Sequence, residues 1–449
     1  MRRRISRTGL IRRSSVLVAS PRLWKPRLVF WTGAIAIGII SVGFDRLADE
    51  AQTIFAHAIN VEGWLRFLPI LVTPCGFVIC AWMAWRFFPG SQGSGIPQTI
   101  AARHLREEVE VGQILSLKTA AGKILLTVAG LLCGASVGRE GPTVQVGASL
   151  MLQAARWGGM ARARGLILAG SAAGIAAAFN TPLAGIVFAI EEMSRTYQSR
   201  TNGLVLSAVI LAGVASLGIL GNYTYFGVAH SSATFPGDWP IVVSCGVIGG
   251  ALGASFSYLT LRLTRRIRRW QPHDPFRRML IVAALSGMFV AVIGVATGGL
   301  TFGTGYAEAR DAVEGNALPV SFFAAKLVVT LASTVSGIPG GLFAPSLSVG
   351  AGLGSTLGVI LGADIGLAAV LGMAGYFAGV VQAPMTAFVI ILEMTGNHAN
   401  VIPLMTASML GYGTARLVSP EPLYHALSRL FIADVLRRQR ANKAVDDRS

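Results

Sequence analysis

The sequence predicts an all-α membrane protein that crosses the bilayer many times through helices interrupted by glycine and proline. Three observations carry that reading. First, the 449 residues are 53% hydrophobic and only 13% charged, with mean hydropathy +0.60, which leaves too little polar surface for a soluble fold. Second, apolar stretches occupy 28–44, 65–88, 113–137, 143–155, 165–190, 203–220, 241–263, 279–297, 318–336, 345–361, 366–381, 383–394 and 400–415. Several are shorter than the roughly 20 residues a spanning helix needs, the signature of broken helices whose ends meet near the midplane. Third, the chain repeats itself. Lys123, Thr127, Gly134, Pro142, Gly147 and Ala148 recur 203 positions later as Lys326, Thr330, Gly337, Pro345, Gly350 and Ala351, and Pro182 to Glu191 answers Pro384 to Glu393 at a displacement of 202. Two related halves follow, of about 29–235 and 236–428; their identities alone leave parallel and inverted arrangements open.

From the N-terminus, residues 1–28 form a basic segment carrying Arg2, Arg3, Arg4, Arg7, Arg12, Arg13, Arg22, Lys25 and Arg27, with no acid before Asp45. The run that follows, Leu28 to Phe44, has no small-residue cleavage site and precedes many further spans, so it reads as a retained helix and not a signal peptide. A second basic cluster, Arg262, Arg265, Arg266, Arg268, Arg269, Arg277 and Arg278, lies between apolar runs, and a third, Arg437, Arg438, Arg440 and Lys443, lies in a short basic tail over 429–449. The formal net charge of +17 is concentrated in these flanks, which the positive-inside rule places in the cytoplasm with both termini. Nucleic acid is not the implied partner; the lipid bilayer is.

Cys75, Cys80, Cys133 and Cys245 all fall in apolar segments and read as small buried side chains, not as disulfides or metal ligands. No paired histidine spacing, phosphate-binding loop or nucleophile elbow occurs, so no metal and no cofactor is indicated.

Chemistry concentrates in three glycine- and proline-bearing pentapeptides. Gly138-Arg139-Glu140-Gly141-Pro142 places an acid between two apolar stretches, where an ionisable group is costly and ordinarily faces an ion pathway. Pro142 suits a first helical turn, and the residues before it expose N–H groups with no carbonyl partner, an arrangement that attracts anions. Gly341-Leu342-Phe343-Ala344-Pro345 repeats that grammar in the second half, and Gly93-Ser94-Gly95-Ile96-Pro97 adds a hydroxyl donor.

These three motifs, in this order and spacing, resemble the filter motifs of the CLC chloride channel and transporter family. The similarity extends through Ala178 to Gly185, Glu191-Glu192-Met193, Leu392-Glu393-Met394-Thr395 and Pro422-Leu423-Tyr424, and covers about 30 to 430. The resemblance implies a homodimer with a pore in each subunit, and two inverted halves whose helix N-termini converge on chloride. It further implies that the Ser94 and Tyr424 hydroxyls and the amides of Leu342 and Phe343 hold a dehydrated chloride. Glu140 becomes a gate whose carboxylate competes with the anion and carries the proton. Arg139 reads as an ion-pairing or carbonyl-binding residue without a transport role.

Glu192 matches the acid that in proton-coupled members receives protons from the cytoplasm, which favours a proton-coupled chloride antiporter over a passive voltage- or pH-gated channel. The plainer reading has Glu191 and Glu192 ending a span and pairing with Arg195. Serine at position 94 resembles chloride-type members, where nitrate-preferring relatives carry proline. The short stretch after Tyr424 implies no paired nucleotide-binding modules. An intramembrane enzyme with Glu140 as acid–base catalyst is the remote alternative, since no nucleophile or metal set accompanies it. The expected location is a cell inner membrane, with chloride and protons as the transported partners.

Overall fold

A computed structural model describes residues 21–59, 63–105, 107–160, 163–194, 199–221, 224–227, 229, 231–270 and 274–446. Most of the first basic cluster and Arg195 lie outside them. The architecture is all-α. Helix α1 (Pro21–Ile59) is followed by α2 (Pro69–Arg86), α3 (Ile96–His104), α4 (Glu108–Ile114), α5 (Leu117–Leu132), α6 (Glu140–Gly158), α7 (Ala163–Phe179) and α8 (Pro182–Phe188). A π-helical segment, Ala189–Ser194, extends α8, and α9 (Ser199–Leu220) closes the first half. The second half runs α10 (Trp239–Arg269), α11 (Pro275–Ala296), α12 (Tyr306–Val313), α13 (Phe322–Val335), α14 (Phe343–Leu361), α15 (Ile365–Val381), α16 (Pro384–Thr395), α17 (Val401–Val418) and α18 (Leu423–Asp446).

Among the described residues, seven helical stretches are long and apolar enough to cross a membrane, including Pro69–Arg86, Gly203–Leu220, Pro275–Ala296 and Phe343–Leu361. They are not equivalent. Helices α9 and α11 present Ile210, Val214, Leu285 and Val292 outward, as a lipid-facing wall does. Helix α15, only 17 residues long, is buried from Gly366 to Val381, walled by α14, α10 and α17. The inner helices meet through small residues: Gly147 lies against Gly170, and their repeat mates Gly350 and Gly372 against each other, which lets backbones touch where apolar burial gives no drive in lipid.

The repeat is inverted, and its two-fold axis can be located. Gly138 and Gly341, equivalent at the 203 displacement, form an antiparallel bridge with N–H···O distances of 2.8 and 2.6 Å. Glu393 accepts the N–H groups of Leu183 and Ala184 at 3.1 and 2.7 Å, while its equivalent Glu191 accepts those of Met385 and Thr386 at 3.1 and 2.6 Å. Such reciprocal contacts arise only across a two-fold axis. Because each carboxylate lies toward the C-terminal end of its own helical segment and on the start of the other, α8 and α16 run antiparallel. Both halves also break at the same point, with Asn180 and Gln382 at φ of 55° and 59° two residues before Pro182 and Pro384.

Several expected boundaries shift. Position 28 falls inside α1, which continues past Phe44 because Asp45 and Asp49 find a cationic partner instead of ending the helix. The 165–190 stretch is two helices, since Pro182 cannot continue the ladder. Residue 429 falls inside α18, which the Arg268–Asp434 and Arg265–Glu421 ion pairs, at 2.8 and 2.7 Å, fasten to α10. Helices α4 and α12 are too short and too polar to register as apolar runs. Cys75 corrects the cysteine reading: it is exposed on the outer face of α2, whereas Cys80 and Cys245 are buried and Cys133 is intermediate. Position 235 lies in the connection between α9 and α10.

Candidate functional site

Four helices begin at one place. The Gly93 N–H bonds the Ile338 carbonyl and the Gly340 N–H bonds the Gly93 carbonyl, both at 3.1 Å, so the loop before α3 is stitched to the loop before α14. The Gly138–Gly341 bridge joins the start of α6 to the same loop. Phe343, the first residue of α14, lies 6.1 Å ring to ring from Tyr424 in the first turn of α18. The buried lysines recognised in the repeat fix the surrounding turns: Lys123 Nζ donates to the Gly93 carbonyl at 2.7 Å, and Lys326 Nζ to the carbonyls of Thr301, Phe302 and Gly303 at 2.9, 3.2 and 2.8 Å.

Glycine permits the close approach. A Cβ on Gly141 would lie 2.6 Å from Ser94 Oγ and 2.9 Å from the Ser94 carbonyl oxygen, and one on Gly138 would collide with Glu140 Oε2. Gly95, Ile96 and Pro97 open α3, with the Gly95 N–H on Gln98 Oε1 at 3.0 Å. Pro142 and Pro345 each sit third in their helices, where a missing N–H costs no intrahelical bond.

Ser94, Glu140, Leu342, Phe343 and Tyr424 are all buried. Because α14 begins at Phe343, the N–H groups of Leu342, Phe343 and Ala344 have no carbonyl one turn earlier to bond. The Glu140 carboxylate lies on this helix start, its Oε2 accepting the Ala344 N–H at 3.4 Å. Its oxygen stands where an anion would meet the positive end of α14. Beside it, Ser94 Oγ and Tyr424 Oη are sealed from solvent and turned toward each other, neither with a partner at full hydrogen-bond geometry among the described residues, and Tyr424 lies within electrostatic reach of Glu192 and Glu140. Two buried donors without acceptors, each costing about 1–3 kcal/mol if left unmet, call for an acceptor that the protein does not supply.

Ser94 stands at the inner limit of a cavity of about 760 Å³, which extends past Gly340 and Leu342 to Arg268, Arg278 and Arg437. The second and third basic clusters therefore share one end of the molecule, at the mouth of this cavity.

Arg139 faces away from the cavity. Its Nη2 pairs with Asp45 Oδ1 and its Nη1 with Asp49 Oδ1, both at 2.5 Å; Nη1 also donates to the Asp45 carbonyl at 2.9 Å and Nη2 to Tyr225 Oη at 3.2 Å. It pins the residue before Glu140 to α1. Asp45, Asp49 and Tyr225 were not picked out in the sequence, although two acids four residues apart at the end of an apolar run are the same kind of signal as Glu140.

Glu191 and Glu192 diverge because the backbone between α8 and Ser194 is π-helical, a wider turn found often at functional sites. Glu191 turns to the start of α16, whereas Glu192, 1% exposed, turns to α18, where His425 meets it. Nothing in the sequence flagged His425 except its place after Tyr424. No cluster of metal-ligating side chains occurs among the described residues.

A family profile described as Voltage gated chloride channel matches residues 75–416. The chain belongs to this family, the CLC proteins. This CLC chain is 30% identical over 440 residues to the H+/Cl− exchange transporter ClcA of Yersinia pestis bv. Antiqua (strain Angola), covering 91% of this chain and 87% of that one. It is 29% identical over 448 residues to the ClcA exchanger of Citrobacter koseri (strain ATCC BAA-895), covering 93% and 91%. The same CLC fold recurs in a slow cyanobacterial Cl−/H+ antiporter, with TM-score 0.80, 22% identity and coverage of 91% and 98%. A CLC-type fluoride/proton antiporter superposes with TM-score 0.75 at 22% identity, covering 95% and 99%.

Proposed function

We propose that this CLC protein is a proton-coupled chloride antiporter. The observation that carries the reading is the Glu140 carboxylate lying on the α14 N-terminus beside two buried, unpaired hydroxyls. Chloride is held by the Ser94 and Tyr424 hydroxyls and by the amides of Leu342 and Phe343. Helix dipoles and oriented donors replace the hydration shell that burial removes. When Glu140 is ionised its carboxylate competes with chloride for the α14 N-terminus. Once protonated it loses that attraction, swings aside and lets chloride through, so one side chain gates the anion and carries the proton.

Glu192 supplies protons from the other side. It does not line the arginine-bearing vestibule that brings chloride to Ser94, which supports separate routes for the two ions. The activity for which the relatives are named, H+/Cl− exchange, supports an antiporter over a passive channel, and transport over catalysis. Serine at position 94 makes chloride the preferred anion.

By the positive-inside rule the basic end of α10, the start of α11 and α18 face the cytoplasm with both termini; the bacterial ClcA relatives support an inner-membrane location. Two copies associate, each with its own pathway. Reconstituted protein tests the function: an imposed chloride gradient is expected to drive protons uphill, against their own gradient. A chloride leak with no proton movement would assign the protein to the passive channels instead.

A further inference from the structure

We infer that His425 is the residue that hands protons to Glu192 from the cytoplasmic side. The inference rests on the antiporter reading and names the next group outward along its proton route.

His425 occupies the first turn of α18, directly after Tyr424, so the helix that presents a hydroxyl to the anion site presents an imidazole to the proton site. Its Nε2 lies 2.9 Å from the Glu192 carbonyl oxygen and 3.7 Å from Glu192 Oε1. A carbonyl oxygen only accepts, so Nε2 carries the hydrogen. The imidazole keeps 17% of its surface exposed, against 1% for Glu192, and so bridges solvent and the buried acid. Glu191 is turned to the amides of α16, Glu421 is paired with Arg265 of α10 and Arg429 of α18, and Arg103 of α3 donates to the Met193 carbonyl with Arg164 of α7 nearby.

The transfer balances. A hydronium on the cytoplasmic side gives a proton to Nδ1, forming an N–H bond and leaving water. The Nε2–H bond then breaks as an O–H bond forms on Glu192 Oε1. The carboxylate becomes a neutral acid, and the ring returns to neutrality in its other tautomer. A small swing from the carbonyl to Oε1 closes the 3.7 Å gap. Histidine suits the step because its ordinary pKa, about 6.5, lets both forms be populated near neutrality.

The test compares wild type, His425→Gln and His425→Ala in vesicles with one orientation, reading chloride and proton fluxes together as cytoplasmic-side pH is varied. Gln keeps a donor for the Glu192 carbonyl but cannot relay a proton, so a merely structural role would leave this variant unaffected. Proton flux in His425→Gln is expected to fall by about tenfold or more, the scale of a lost acid–base group. Its pH profile should lose the inflection in the imidazole range. Imidazole added on the cytoplasmic side should restore flux to His425→Ala. Wild-type proton flux and pH profile in His425→Gln overturn the inference, as does an alanine variant that imidazole does not rescue. A wild type that moves no protons uphill would sink the antiporter reading itself, which separates the two failures.

Discussion

Asp45 and Asp49 approach the Arg139 guanidinium at the same 2.5 Å but from different surroundings, Asp45 with a side chain 10% exposed and Asp49 with one 54% exposed. Equal distances with unequal burial make a controlled comparison. Removing one partner of a buried pair leaves a charge without compensation and costs about 3–5 kcal/mol, whereas an exposed pair contributes about 0–1 kcal/mol. Asp45→Asn should therefore destabilise the fold by about 3 kcal/mol, the lower end because Asp49 and Tyr225 remain on Arg139. Asp49→Asn should cost about 1 kcal/mol or less. The double variant should lose more than the sum, since each carboxylate covers for the other's absence. Denaturant titration of the purified protein in detergent micelles, followed by tryptophan fluorescence, gives the comparison. Equal losses in the two single variants, or strict additivity in the double, would refute the argument that burial sets the strength of these pairs.

Other expectations follow from the same geometry. Tyr424→Phe and Ser94→Ala each delete one hydroxyl aimed at the anion. A hydrogen bond to a charged partner is worth about 1.5–3 kcal/mol, so calorimetric chloride affinity should drop by roughly tenfold or more in each, with Thr406→Ala on the outer face of α17 as an unchanged control. Ser94→Pro should shift preference toward nitrate in competition flux measurements. Glu192→Val should let chloride pass while suppressing proton transport; intact coupling in that variant would return Glu192 to a structural part. Glu191→Gln and Glu393→Gln each weaken a carboxylate clamp on a helix start, and Glu191 should be the costlier because it also accepts the Thr386 hydroxyl at 2.8 Å.

What the sequence made legible were features that repeat or violate a rule. Lys123 and Lys326, Pro142 and Pro345, and Glu191 and Glu393 announced a duplication by recurring in register. Glu140 announced a site by placing an acid in an apolar run. The orientation of the halves was not legible in the repeat itself, because a list of identities carries no direction; the family resemblance implied inversion, and the Gly138–Gly341 bridge displays it. Hydropathy also could not tell α15, enclosed by its neighbours, from α11, which faces outward, since both read as strongly apolar runs. Helix ends were misplaced where charge found a partner distant in sequence: α1 runs on through Asp45 because Arg139 waits for it, and α18 runs through Asp434 because Arg268 does. His425 escaped notice because its meaning depends on Glu192, more than two hundred residues away, and no local spacing links them.

The central claim is that one carboxylate both gates chloride and carries the proton, and Glu140→Gln tests it most directly. Glutamine keeps the size and hydrogen-bonding reach of the protonated acid but has no proton to exchange. With chloride and pH electrodes recording the same vesicle suspension, the wild type should couple outward chloride movement to uphill proton movement. The Glu140→Gln protein should pass chloride with no coupled proton flux. Uphill proton movement persisting in Glu140→Gln under the same chloride gradient would contradict the account.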